Sequence, residues 1–338
     1  MRMSRIIDSL AIPILPAPMA GGPTTAAVVN EAARAGSIGT LAWGTIKAQA
    51  AQEQAAGLDT DFFGINLFAK QPELDSHGVA VARELAATEG IELKSADYSN
   101  GWDEKLQLAL TMSPRPKVVW SMFGTFTGSE VKALHAAGIE AWTTVTNEHE
   151  ACAAIAAGVD ALCVQGPEAG GHRGVWNPTA EPDKRPLAEL VDAIAKLSTL
   201  PLIAAGGVRS ADQVHEALTW PHVVAVSCGS AFLLSDEAGT SPVNRARINQ
   251  VKNNETGTGE ASTSTRAFSG RYARGLKTTF TQNHPNGPAI YPYLNQIFAA
   301  RRAAGDEDVA YCLVGVEAQR IFGGTVASVL RRLWEKQK

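Results

Sequence analysis

One histidine follows the most strand-like stretch of this chain. Residues 159–164 form a short apolar run typical of a parallel strand covered on both faces, and the loop after it holds Gly166, Gly170, Gly171 and Gly174. Within that loop His172 is the only side chain that can gain and lose a proton near neutral pH. Because glycines let a flat ligand approach the backbone closely, the segment predicts an active site with His172 as proton donor, proton acceptor or oxyanion partner.

Other predicted strand ends indicate what such a site would bind. The first strand ends in residues 17–19, the third carries Asn66 near its end, and the strand before His172 ends in Gln165. Parallel α/β folds bind ligands at the carboxyl ends of their strands, so these residues should face one another. Amide side chains offer paired donors and acceptors, which suit the edge of a flat heterocycle.

Two glycine turns predict an anion site in the last two βα loops. Gly206 and Gly207 precede a helix with a predicted N-cap at Ser210, and Gly229 and Ser230 follow the next strand. Taken alone, either glycine pair is better explained as a way to shorten a loop than as an anion site. Together they place two clusters of backbone N–H groups where barrels of this type bind phosphate, so we expect a phosphate group here.

The order of elements predicts the fold. Short apolar runs alternate with alanine-rich, helix-favouring segments, which indicates parallel strands joined by right-handed crossovers. The predicted strands are residues 13–19, 38–41, 62–67, 91–93, 118–121, 139–144, 159–164, 202–205 and 223–228. Eight or nine units over roughly 230 residues fit a TIM (β/α)8 barrel better than an open doubly wound sheet. No G-x-G-x-x-G motif follows the first strand, which further disfavours the open sheet.

The strand signals stop after Ser241. Residues 253–266 are polar and predict an exposed excursion, and two helices are predicted at 291–304 and 317–335. We therefore expect a barrel over residues 1–240. Residues 241–338 would form a helical extension packed on the barrel and contribute its last helix, with a small lid domain as the alternative.

Composition excludes several classes of function. The 338 residues are 45% hydrophobic and carry a net charge of −4 without long charged runs, so a nucleic-acid partner is not expected. The four cysteines have no C-x-x-C pairing and the histidines have no metal-ligand spacing, which predicts reduced thiols and no metal. Prolines interrupt the apolar segment 10–20, so it is neither a signal peptide nor a membrane span, and we expect a cytoplasmic protein.

Covalent chemistry is also disfavoured. No Ser-His-Asp order, G-x-S-x-G elbow or lysine at a strand end is present, which argues against acyl transfer and Schiff-base chemistry. A phosphate-bearing redox cofactor assisted by one histidine remains.

The motif at residues 165–174 carries a family resemblance. Together with Pro16-Ala-Pro-Met19 before it and Ala205-Gly-Gly-Val208 after it, it resembles class I of the nitronate monooxygenase family, formerly called 2-nitropropane dioxygenases. The resemblance implies a TIM barrel that binds FMN noncovalently. It also implies oxidation of alkyl nitronates by O2 to a carbonyl compound and nitrite, with propionate 3-nitronate and neutral nitroalkanes as candidate substrates.

The resemblance also implies roles for individual residues. His172 would face the substrate above the flavin, bind the nitro oxygens and act as a base where neutral nitroalkanes are used. Motifs at 269–274 and 290–293 resemble the family's tail and imply substrate contacts from Tyr291 and Tyr293, although no lysine partner follows Tyr291. The implied FMN contacts are Ala17, Pro18 and Met19 at the ring, Asn66 and Gln165 at its polar edge, Gly170 and Gly171 giving it room, and Gly206, Gly207, Gly229 and Ser230 at the phosphate.

Two other readings stay open at this point. An FMN-dependent NAD(P)H reductase of the same superfold, acting on enoyl thioesters or quinones, would share the glycine-histidine loop. A phosphate-sugar isomerase or synthase, or a barrel that binds a ligand without turnover, would share only the anion site. The colour of the protein and its response to NADH separate these readings.

Overall fold

The computed structural model describes residues 5–253 and 260–335, which contain eleven strands and fourteen α-helices. The strands are β1 (Ile14–Pro16), β2 (Gly39–Ala42), β3 (Phe63–Phe68), β4 (Val118–Met122), β5 (Glu140–Val145), β6 (Ala161–Gln165), β7 (Gly171–His172), β8 (Leu202–Ala205), β9 (Val223–Cys228), β10 (Ser262–Thr265) and β11 (Ala273–Leu276). The helices are α1 (Arg5–Asp8), α2 (Ala26–Arg34), α3 (Ala48–Ala55), α4 (Ser76–Thr88), α5 (Trp102–Thr111), α6 (Gly128–Ala136), α7 (Glu148–Ala157), α8 (Leu187–Ala195), α9 (Ala211–Ala217), α10 (Pro242–Asn253), α11 (Thr279–Asn283), α12 (Tyr293–Ile297), α13 (Ala299–Ala303) and α14 (Val326–Trp334).

Eight parallel strands form a nearly closed barrel. Their order is β1-β9-β8-β6-β5-β4-β3-β2, so β1 and β2 are the two ends that must meet. The Ser37 hydroxyl donates to the carbonyl of Ile14 at 2.5 Å, and the N–H of Ile12 donates to Gly36 at 3.0 Å across this seam. With helices around the strands, the predicted TIM (β/α)8 barrel is confirmed.

The local sequence explains why these elements form. All six residues of β3 are buried, as expected for a strand with the barrel interior on one face and helices on the other. Helix α6 begins with a capping box, in which Thr127 accepts from the N–H of Glu130 and the Glu130 carboxylate accepts from the N–H of Thr127. Such caps fix where each helix starts and therefore how long each βα loop is.

The last helix of the chain packs in the helical layer around the barrel. Helix α14 contacts α2 and α9, and its buried residues Val326, Val329, Leu330 and Leu333 lie on one face. Thr325 caps it by accepting from the N–H of Ser328. These side chains belong to the same apolar core as the barrel strands.

The predicted strand at residues 91–93 is wrong. Ile91 and Leu93 lie in an irregular segment and pack beside α4 and α12, together with Leu294 and Phe298. Since β3 pairs directly with β4, the barrel has no place for another strand between them.

The expectation that strands end after Ser241 is also wrong. Strands β10 and β11 form an antiparallel sheet with β7, the strand that carries His172. The predicted exposed excursion fails for residues 262–265, because Ser262 and Thr265 are buried, while residues 254–259 lie outside the described residues. These strands are rich in serine, threonine, arginine and glycine, so they lack the apolar alternation by which a strand is recognised.

The two predicted C-terminal helices are shorter than expected. The first is divided into α12 and α13 at Phe298, and of the second only α14 and a 3₁₀ turn at Ala318–Arg320 are helical. None of the helices in the described ranges combines the length and the apolar character that a transmembrane crossing requires.

Candidate active site

A cavity of about 380 Å³ opens at the carboxyl ends of the barrel strands. This volume lies in the range usual for pockets that bind cofactors and small molecules. The predicted site residues that line it are Ala17, Pro18, Met19, Asn66, Gln165, Gly170, Gly171, His172, Gly206, Gly207, Gly229, Ser230 and Tyr291. The fold therefore brings together residues that span most of the chain.

Tyr293 is the exception, because it does not line this cavity. As the first residue of α12 it packs into an apolar cluster with Ala82 and Ala86 of α4, and its hydroxyl is hydrogen-bonded to Tyr98. The residue that reaches the cavity from this segment is Tyr291, with Asn295 one helical turn further on. The resemblance implied substrate contact from Tyr293, but its side chain packs outside the lining of this cavity.

The two predicted amides are hydrogen-bonded within the protein. The Nδ2 of Asn66 donates to the carbonyl of Trp120 at 2.9 Å. The Nε2 of Gln165 donates to the carbonyl of His172 at 2.9 Å, and its Oε1 accepts from the N–H of Gly174 at 2.7 Å. Gln165 thus fixes the backbone from the carbonyl of His172 to Gly174 while it lines the cavity.

The His172 side chain lies in an aromatic and hydroxyl-lined corner. Its Nε2 is 2.8 Å from the Ser269 hydroxyl and 3.4 Å from the Tyr311 hydroxyl. The rings of Phe123 and Tyr291 meet the imidazole edge-on, with centroids at 5.8 and 5.6 Å. These contacts fix the orientation of the imidazole at the cavity wall.

Electrostatics keep this imidazole neutral. Burial, together with the nearby charge of Arg271, lowers the pKa of His172 from 6.5 to about 3. The Arg271 guanidinium is fully buried, donates to Gln71 Oε1 and the carbonyl of Val175, and stacks 4.0 Å from the Phe123 ring centroid. At neutral pH His172 therefore donates or accepts hydrogen bonds without carrying charge.

The segment after β1 forms another side of the cavity. The N–H of Ala17 donates to the carbonyl of Cys228 at 3.0 Å, and the N–H of Met19 donates to the Thr24 hydroxyl at 2.8 Å. Pro18 has no N–H. This segment therefore presents carbonyls, a pyrrolidine ring and a thioether, which suit contact with the face of a planar ring better than with an anion.

The two glycine turns form a further part of the cavity lining, and a Cβ on Gly229 would lie 3.5 Å from that of Ala17. Gly206 and Gly207 have φ values of +131° and +73°, which favour glycine, and the predicted cap at Ser210 is confirmed by its bond from the N–H of Gln213. The Ser230 hydroxyl accepts from the N–H of Gly315 at 2.9 Å and so ties the second turn to the C-terminal segment.

Arg209 adds a buried cation beside these turns. It lines the cavity and donates from Nη1 to the carbonyl of Val208 and from Nη2 to that of Val316, while its Nε has no hydrogen-bond partner among the described residues. Burial lowers the pKa of Arg209, and no carboxylate of the described chain lies within ion-pair distance of it. Such a cation fits an anionic group in the cavity. Its position two residues after the Gly-Gly turn is a sequence signal that was not used above.

Two adjacent glycines of the cavity lining differ in their surroundings. A Cβ on Gly170 would lie 2.3 Å from the nitrogen of Gly315 and 2.6 Å from the carbonyl carbon of Val314. The small size of Gly170 is therefore needed by the protein's own C-terminal segment. Gly171 has φ +83°, and a Cβ there would meet no atom of the described residues within 4 Å.

Several residues of the site were not identified from the sequence. Ser269 and Arg271 lie in the tail motif at 269–274, but their contacts with the histidine corner were not anticipated. Tyr311 and Asn295 carry no recognisable motif. The cavity-lining residues missed altogether include Met122, Thr144, Cys163, Arg209, Ser227, Asn295 and Tyr311.

Comparisons with known proteins agree with this geometry. The family model described as nitronate monooxygenase matches residues 3–333. The chain is 30% identical to a nitronate monooxygenase of Pseudomonas aeruginosa, covering 99% of this chain and 98% of the relative. It is 32% identical to that of Paraburkholderia phytofirmans, covering 86% and 82%.

Solved structures share the whole fold. Nitroalkane oxidase from Streptomyces ansochromogenes superposes with a TM-score of 0.86 at 30% identity, covering 97% of this chain and 96% of the other. FabK from Thermotoga maritima superposes with a TM-score of 0.71 over 97% and 94%, but at 22% identity it shows the fold alone. Since the family match spans nearly all of the sequence, this chain belongs to the nitronate monooxygenase family of oxidoreductases.

Proposed function

We propose that this protein binds FMN noncovalently and oxidises alkyl nitronates with molecular oxygen to a carbonyl compound and nitrite. The observation that carries the proposal is the neutral imidazole of His172, held by two hydroxyls at the wall of a cavity that ends in glycine turns. Family membership and the name of the Streptomyces structure point to the same class of substrate.

The residues of the cavity fit FMN. The turns at Gly206 and Gly229 suit a phosphate group, as does the Nε of Arg209, which has no hydrogen-bond partner in the described part of the chain. The Pro18 ring and the Met19 thioether offer apolar contact to a flat ring. When bound, flavin supplies the electron acceptor for the substrate and passes the electrons on to oxygen.

His172 would bind the substrate instead of deprotonating it. An alkyl nitronate is already deprotonated, so its oxidation needs no base, and a neutral imidazole can donate a hydrogen bond to a nitro oxygen. With its pKa lowered to about 3, His172 is a weak base for removing a proton from a neutral nitroalkane. The site therefore favours nitronates over neutral nitroalkanes.

The two tyrosines beside His172, Tyr291 and Tyr311, would act as neutral hydrogen-bond donors and exclude water. Burial raises the pKa values of Tyr291 and Tyr311, so both phenols keep their protons at neutral pH. Both line the cavity, where their rings cover the side of the histidine.

A spectrum and a titration test this function. We expect the purified protein to be yellow and its flavin to be reduced promptly by propionate 3-nitronate without oxygen, but only slowly by NADH. Nitrite should appear when oxygen is admitted. Rapid reduction by NADH would instead favour the NAD(P)H reductase, and a colourless protein that takes up no FMN would refute a flavoenzyme altogether.

A histidine variant tests the role of His172. We expect His172→Ala to retain FMN and to lose most nitronate turnover, while the matched His77→Ala, at an exposed position on α4, behaves like the wild type. Unchanged turnover in His172→Ala would remove this residue from the mechanism.

An arginine variant tests the phosphate end. Arg209→Gln should lower the affinity for FMN, measured by fluorescence during reconstitution of the flavin-free protein. Arg320→Gln is the matched control, because Arg320 is exposed and paired with Glu317 at 3.2 Å. Equal FMN affinities in the two variants would contradict the placement of the phosphate beside Arg209.

A further inference from the structure

A partly buried arginine lies behind the aromatic wall near His172. Arg302 of α13 donates to the carbonyls of Phe268 at 2.6 Å and Val309 at 2.9 Å, and to Asn295 Oδ1 at 3.1 Å. Its guanidinium carbon lies 4.6 Å from the ring centroid of Tyr311. Because Asn295 and Tyr311 both line the cavity, only one layer of side chains separates this cation from the space inside.

Arg302 and Arg271 resemble each other in their surroundings. The Arg271 guanidinium stacks on Phe123 and lies 5.9 Å from the ring centroid of Tyr291. Each arginine donates to neutral oxygens, and neither takes part in an ion pair within the described part of the chain. Two cations thus lie on the same side of the cavity as the histidine without carboxylates to balance them.

The adjacent arginine, Arg301, is paired with carboxylates, in contrast to Arg302. Arg301 points to the other side of α13, where it pairs with Glu89 at 3.1 Å and Asp306 at 2.7 Å. The carboxylate that influences Arg271 from further away is Glu150, and its oxygens are occupied by Thr146 and the N–H of Trp176.

Cations that no carboxylate balances have a predictable effect on a cavity. In a region from which water is largely excluded, the potential of a cation is screened much less than at the surface. The charge of Arg271 adds to the desolvation that lowers the pKa of His172, and the charge of Arg302 partly opposes the rise in the pKa of Tyr311, so each cation acts on a group that lines the cavity. A bound anion would be stabilised by it, whereas a neutral molecule of the same shape would not.

We propose that Arg302, together with Arg271, determines the ligand charge that the cavity accepts, so that small planar anions bind in preference to neutral nitro compounds of the same size. The inference rests on the proposed function and identifies the ionised nitronate as the form that is selected. Arg302 acts through Asn295 and Tyr311 without touching the ligand, and is therefore a specificity-determining residue.

Substitutions at two adjacent positions test this assignment. The probes are sodium nitrate, a planar anion that cannot be oxidised here, and neutral nitroethane, each titrated into the FMN-loaded protein and followed by flavin absorbance at constant ionic strength. We expect Arg302→Gln to weaken nitrate binding by on the order of tenfold and nitroethane binding by less than about twofold. Arg302→Lys should restore most of the nitrate affinity, and the control Arg301→Gln should change neither.

A second variant leaves the arginine in place. Asn295→Asp puts a carboxylate where Oδ1 now accepts from Arg302, which neutralises the cation with almost no change of shape. It should weaken nitrate binding at least as much as Arg302→Gln, and it keeps the test decisive if Arg302→Gln does not fold.

Three results would overturn the inference. These are equal nitrate affinity in Arg302→Gln and Arg301→Gln, an equal loss for nitrate and nitroethane in Arg302→Gln, and unchanged nitrate binding in Asn295→Asp. Failure of the wild type to oxidise nitronates would refute the proposed function instead. A wild type that oxidises nitronates while its Arg302 variants keep full nitrate affinity would refute only the role of Arg302.

Discussion

Replacement of Ser269 by alanine tests how the imidazole of His172 is held. The Ser269 hydroxyl is buried and lies 2.8 Å from His172 Nε2, while the only other hydroxyl beside that nitrogen in the described chain, that of Tyr311, is 3.4 Å away. The hydroxyl also contacts the backbone of Arg271, donating to its carbonyl at 3.3 Å and accepting from its N–H at 3.4 Å. Ser269→Ala removes one oxygen atom and leaves the ring without its shortest hydrogen bond.

The size of the effect follows from the burial of the group that is left unpaired. A buried polar group that loses its partner costs about 1–3 kcal/mol, because water does not replace the partner. If the proposed contact between His172 and the substrate depends on this bond, kcat/KM for a nitronate should fall roughly tenfold to hundredfold. Tyr311→Phe should have a smaller effect, since its contact with His172 is longer.

The assay compares nitronate turnover at equal flavin content. Ser235→Ala is the matched control, because Ser235 is fully buried and donates to the carbonyl of Phe232 at 2.8 Å, as part of a turn. We expect the control to lose some thermal stability but to keep kcat/KM per bound flavin. If Ser269→Ala binds FMN and retains kcat/KM within about twofold of the wild type, the hydroxyl does not position His172.

Three further predictions concern stability and pH. Gly170→Ala should destabilise the fold by about 2 kcal/mol or more, because the added Cβ clashes with Gly315. Gly171→Ala should cost only about 1 kcal/mol, because the only obstacle is its positive φ. Denaturant unfolding measures both free energies, and a larger loss for Gly171→Ala would contradict the structure. Because burial and Arg271 lower the pKa of His172 from 6.5 to about 3, kcat/KM for a nitronate should show no step near pH 6.5. As the pH falls below 6.5, the unfolded chain binds a proton at this histidine before the folded chain does, which lowers the free energy of unfolding. The His172→Gln variant should therefore lose less stability than the wild type between pH 6.5 and about 3. Burial lowers the pKa of Lys105 from 10.5 to about 8, so the folded chain releases this proton before the unfolded chain does. The free energy of unfolding of the wild type should therefore rise between about pH 8 and pH 10.5. An equal rise in a Lys105→Met variant would refute this prediction.

Local sequence patterns were enough for the barrel and for part of the site. Eight of the nine predicted strands exist, because a strand buried on both faces must be continuously apolar and each one ends at a glycine-rich or polar turn. The exception at residues 91–93 is apolar for a different reason, since it packs against α12 outside the barrel. An apolar run shows that a segment is buried but does not show which partner buries it.

By itself, the sequence determined the parallel barrel, the placement of His172 beyond β6 and the glycine turns that line the cavity, because each depends on spacing within one βα unit. Only the tertiary structure decided the chemical state of the histidine. Ser269 and Tyr311 lie 97 and 139 residues from it along the chain, in irregular segments without periodicity, and Arg271 reaches it through the pairing of β11 with β7. The low pKa of His172 arises from desolvation and from a neighbouring cation, and both exist only once these distant segments have closed around it.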